Sequence, residues 1–161
     1  MKKVAILLSL IVSVGAQTEV SGIISENTTW TKSNSPYIVT SSIAILEGIT
    51  LTIEPGVTVK LDSSQSLKIY GQLLAKGNSN NRIKFTSNSL NPSIGDWGNI
   101  HFTDTSIDGV LVDSVYSSGS TLQYCDIEFE MNNSNVDQVR KIIEKKAKVI
   151  EFFSKKDAYN K

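Results

Sequence analysis

Two short strands and a turn, Leu51-Thr-Ile-Glu-Pro-Gly-Val-Thr-Val59, constrain this chain more than any other feature, because the unit recurs along it. Leu51 and Ile53, then Val57 and Val59, alternate with Thr52 and Thr58, the period-two pattern of a strand with one face buried. Glu54-Pro55-Gly56 is turn chemistry: Pro presets φ at the second turn position, and Gly accepts the positive φ that a type II turn needs at the third. Sixteen residues after Leu51 stands Leu67-Lys-Ile69, sixteen further Ile83-Lys-Phe85, seventeen further Ile100-His-Phe102, and fourteen upstream Tyr37-Ile-Val39. A second series, Ile43-Ala-Ile45, Val57-Thr-Val59 and Leu73-Leu-Ala75, keeps similar offsets. Strands at a near-constant offset are an internal repeat, and a unit this small buries its apolar face only by stacking on its neighbours. Stacking at this period places Tyr37, Leu51, Leu67, Ile83 and Ile100 in one inward column and Ile38, Thr52, Lys68, Lys84 and His101 in one outward column.

The order of segments around the repeat is legible too. Lys2 and Lys3 precede an apolar run from Val4 to Val14 that ends in small residues, the pattern of a secretory signal peptide cleaved near Ala16. The run is too short to span a bilayer, and no later stretch is long enough, so no transmembrane segment is expected in the mature chain. Three segments follow: residues 1–16 as signal peptide, 17–130 as the repeat domain and 131–161 as a tail. Residues 17 to 134 carry 6 Lys and Arg against 12 Asp and Glu, whereas 135 to 161 carry 8 against 4. An acidic repeat body repels phosphates and argues against nucleic acid as a partner. In the tail, Val136, Val139, Ile143, Ala147, Ile150 and Phe153 recur at helical steps opposite Lys141, Lys145 and Lys148, so an amphipathic helix is expected. Its role is open between a cap over the last coil, a basic helix on an anionic membrane surface, and the product of a shifted reading frame.

Trp30-Thr-Lys with Ser35-Pro-Tyr-Ile-Val39, Leu51 through Lys60, Gly95-Asp-Trp-Gly98, and Ser120-Thr-Leu-Gln-Tyr-Cys-Asp-Ile-Glu128 resemble the right-handed parallel β-helix repeat proteins exported by bacteria. The resemblance covers roughly residues 20 to 130. It implies an all-β, pectate-lyase-like solenoid of about five or six coils, here followed by the C-terminal amphipathic α-helix. It also implies a secreted or bacterial cell-surface location. Asn99 stands where such repeats tend to carry a second Gly, which marks that turn as unusual.

Chemistry is sparser. Lys68, Lys84 and His101, on the outward column, form a candidate ligand-binding face for a polysaccharide or a surface protein. Asp104, Asp108 and Asp113, in an irregular stretch that breaks the repeat, offer hard oxygen ligands of the kind calcium takes, although their spacing fits no EF-hand. No cofactor other than Ca2+ is suggested. Asp96 with Trp97 has the look of a sugar-stacking pair, but packing at the start of a coil suits Trp97 better. Cys125 is the only cysteine, so no intramolecular disulfide forms, and its apolar neighbours suggest a buried thiol. Asn27-Thr28-Thr29 and Asn132-Asn133-Ser134 fit the N-glycosylation pattern. No catalytic set is assembled by the sequence. The preferred reading is therefore an exported non-catalytic module, structural or adhesive, and the alternative is a polysaccharide lyase or hydrolase-like protein, or the N-terminal remnant of one.

Overall fold

A computed structural model describes residues 17–112 and 115–130. The signal peptide, the helical tail and Asp113 lie outside the described residues. The described residues form thirteen strands: β1 (Thr18–Ile24), β2 (Thr28–Trp30), β3 (Tyr37–Ile45), β4 (Thr50–Ile53), β5 (Thr58–Leu61), β6 (Leu67–Ile69), β7 (Gln72–Lys76), β8 (Ile83–Ser87), β9 (Ile100–Phe102), β10 (Val110–Val112), β11 (Val115–Ser118), β12 (Thr121–Gln123) and β13 (Cys125–Ile127). Apart from the antiparallel hairpin β10–β11, every strand pairing is parallel.

The pairing order wraps the chain around three faces. The first face stacks the leading half of β1, the leading half of β3, then β5, β8 and β13. The second stacks the trailing halves of β1 and β3 on β6 and β9. The third stacks β2, β4, β7 and β12. Strand β3 serves two faces because its first three residues pair with β5 and its last three with β6. The described residues thus make four turns of a parallel β-helix and the opening strand of a fifth.

This corrects the sixteen-residue period. Tyr37 is in register with Val59, Ile43 with Leu67, and Leu51 with Leu73, so a coil takes 22 to 24 residues in this part of the chain. The shorter offset links successive faces. Tyr37, Leu51, Leu67, Ile83 and Ile100 are all buried, as the alternation requires, yet they come from three different walls. Ile38, placed outward by its parity, is buried at 4 % exposure.

The core runs along the axis. Val59 lies on Phe85, Leu67 between Ile43 and Ile100, and Ile53 between Trp30 and Ala75, which itself meets Leu122. Burying one such Leu or Ile is worth about 2 kcal/mol. No coil could gain this alone, since each side chain is covered by the coils on either side.

Corners carry the polar satisfaction. At the corner between the first and second faces, Ser42 Oγ accepts from the Ser66 backbone N–H at 3.0 Å, and Ser66 Oγ from that of Asn99 at 3.1 Å. One hydroxyl per coil thus satisfies the amide of the next, where the ladder is interrupted by the bend. Gly98 is the residue this corner needs small: a Cβ there would stand 2.0 Å from Ser66 Oγ. Asn99 contributes only its backbone N–H to that contact, which explains why a second Gly is dispensable.

Candidate functional site

The second face is built from strands three residues long at β6 and β9, so each coil shows one outward side chain there. Reading down the register, that column is Ile23, Ala44, Lys68, His101. Lys68 and His101 sit on adjacent parallel strands, about 4.8 Å apart along the stack, and both are exposed. Neither makes an ion pair among the described residues. Ser66 and Asn99 border the pair on one side, and Tyr70 and Thr103 follow it on the other. The sequence marked Asn99 only as an unusual turn residue and passed over Tyr70 and Ala44, because neutral residues carry no functional signal until the register is known.

Lys84 belongs elsewhere. It lies on the first face, in register with Thr58 and Asp126, and its Nζ reaches Glu128 Oε1 at 3.3 Å. Beside it Arg82 Nε donates to Asp126 Oδ1 at 2.9 Å, while Arg82 Nη2 donates to the Cys125 carbonyl oxygen. The expected trio of Lys68, Lys84 and His101 therefore separates: the register joins the first to the third and removes the second.

Asp104 and Asp108 are both exposed in the segment between β9 and β10, and Asp113 lies outside the described residues. Among the described residues no group of three His, Cys, Asp or Glu is arranged to hold a metal ion. Asp96 is occupied by its own loop: Ser87 Oγ donates to Oδ2 at 2.7 Å, Ser93 N–H to Oδ2 and Ser93 Oγ to Oδ1. These bonds, that from Ser87 foremost, hold its carboxyl below the usual aspartate range. Trp97 is fully buried and donates from Nε1 to the Glu128 carbonyl oxygen at 2.7 Å. It packs the core and presents no surface to a sugar.

Cys125 is buried, and its Sγ lies against the Ala75 and Gln123 carbonyl oxygens. Burial pushes its thiol up to about 12, against a smaller opposing effect of Arg82. It is a core residue with no thiolate to offer at neutral pH. The third face is partly covered near the β10–β11 hairpin, where Lys76 Nζ stands 3.7 Å from the Tyr116 ring centroid and Tyr116 Oη donates to the Gly119 carbonyl oxygen. Burial raises the Tyr116 hydroxyl above its ordinary value.

Comparison with known proteins agrees with the architecture. Residues 22–108 match the family model of the pectate-lyase like beta helix domain. The chain belongs to this β-helix family. It is also similar to Protein bark beetle of Drosophila melanogaster, at 45 % identity over 58 residues, which is 36 % of this chain and 2 % of that protein. The chain thus spans a very small part of that relative's length. No solved structure matches it. In this β-helix domain Lys68 of the second face makes no ion pair among the described residues, and no helix among the described residues is long and apolar enough to cross a membrane.

Proposed function

We propose that this β-helix is an exported, non-catalytic module, structural or adhesive, that holds an acidic glycan against its second face. The observation that supports it most is the direct register of exposed Lys68 on exposed His101, with no carboxylate in their column and no ion pair on either among the described residues. A lysine ammonium is a point charge suited to a carboxylate or sulfate group, and a repeating polymer laid along the solenoid meets a new side chain at each coil. The contact is local. The repeat body is acidic overall, but charges farther than about 8 Å are screened at physiological salt. Export is supported by the apolar run of residues 1–16.

The test is affinity electrophoresis of residues 17–161 through gels carrying acidic or neutral polysaccharide, with unsaturated sugar read by absorbance. Retardation by the acidic polymer alone, relieved by Lys68→Ala, is expected. Migration unchanged by either polymer would remove the proposal, and release of unsaturated sugar would replace it with a lyase.

A further inference from the structure

Asn27-Thr28-Thr29 runs from the turn after β1 into the start of β2, at a corner of the first coil. Three features of that turn suit a glycan acceptor. Asn27 is exposed. Its Oδ1 accepts from the Thr50 backbone N–H at 2.8 Å, which fixes the amide orientation chemically, because only an oxygen can accept there. Thr50 belongs to the next coil, so the amide oxygen faces the stack and Nδ2, on the other side of the same carbon, is directed away from it. The hydroxyl two residues on is available too: Thr29 is exposed on β2, while its neighbour Trp30 turns into the core. Asn91-Pro92-Ser93 shows the contrast, since it matches the spacing but carries the proline that bars the motif.

We infer that Asn27 is an N-glycan acceptor. The substrate class is a lipid-linked oligosaccharyl diphosphate in a secretory lumen. In the transfer Nδ2 forms a bond to the sugar C1 as the C1–oxygen bond to the diphosphate breaks, the lipid diphosphate departs with the electron pair, and Nδ2 gives up one proton. Oδ1 is not consumed, so the folded domain keeps the bond to Thr50 with the glycan in place. The sugar then stands beside β1 and β2, which pair on one side only among the described residues, and beside exposed Ile23. A bulky hydrated group there hinders pairing of that edge with another strand.

The test uses the full chain translated with insect-cell microsomes, in wild-type form and as Ser134→Ala, Thr29→Ala and the double variant. Intact mass is measured before and after a peptide N-glycosidase, which leaves Asp in place of each modified Asn. The Ser134→Ala chain is expected to carry one glycan and to gain the Asn27 to Asp mass mark. Thr29→Ala, which keeps Asn27 and its bond to Thr50, is expected to lose that mark. Unmodified Asn27 in the protease-protected fraction overturns the inference, as does failure of the chain to enter the lumen.

Discussion

The first and second faces of this solenoid use the same residue types at comparable strand positions and arrive at opposite chemistry. On the first face Lys84 lies in register with Asp126 and reaches Glu128, and Arg82 binds Asp126, so these cations serve the stacking of β13 on β8. On the second face Lys68 meets Ala44 on one side and His101 on the other, with no ion pair among the described residues. The same Leu/Ile-Lys-Ile/Phe pattern holds both lysines, so the availability of a surface charge is a property of the coil above and below it. The ion pairs on the first face are partly exposed, and each is worth no more than about 1 kcal/mol.

The largest break of this comparison would come from Gly71, just after β6. A Cβ there would stand 2.2 Å from the carbonyl oxygens of both Leu46 and Ile49. Gly71→Ala is expected to destabilise by about 3 kcal/mol or more, seen in urea unfolding, and to abolish retardation by acidic polysaccharide because the second face loses its corner. A midpoint within error of wild type would show that the corner yields cheaply.

Cys125 reports on the first face without mutation. With its thiol held up to about 12, labelling at pH 8 should be slower in the native protein than in denaturant by about 1,000-fold or more. Comparable rates would mean that β13 opens readily and that the first face is not sealed by its charge pairs.

A smaller effect sharpens the contrast itself. Lys68→Ala should leave stability within about 0.5 kcal/mol and remove retardation, whereas Lys84→Ala should cost up to about 1 kcal/mol and leave retardation intact. The reverse pattern would move the binding surface to the first face.

The smallest effect is a pH dependence in which two carboxyls oppose each other. Asp96 is held below its ordinary value of 3.8, so its contribution is present above 3.8 and is lost as pH falls through its lower folded value. Glu130 is raised above 4.5 by burial, so its contribution is present below 4.5 and is lost as pH rises through its folded value. Melting temperature against pH should therefore fall more gently at the acid end in Asp96→Asn and more gently above 4.5 in Glu130→Gln. Superimposable profiles would refute both assignments.

Alternation alone determined which side chains face inward: Leu51, Ile53, Val57, Val59, Leu67, Ile69, Ile83 and Phe85 are all buried. Parity is local physics, set by the strand geometry of the residue itself. It also made the solenoid recognisable, because coils of this size have no other way to cover their apolar face. The candidate site was only half legible. Lys68 and His101, grouped by the repeat, stand on neighbouring strands, whereas the same sixteen-residue step carries Lys84 to the first face.

Which residues stand above which was decided by the tertiary structure alone. The step from one coil to the next is the sum of three strands and three corners. Those corners vary from the single residue Tyr124 between β12 and β13 to the long segment between β9 and β12 that carries the hairpin. Each added corner residue shifts every later register, while inward or outward parity is set afresh within each strand. The sequence therefore determined that this chain is a stack, and the lengths of its corners, read only once folded, decided that Lys68 looks out beside His101 while Lys84 is spent on Glu128.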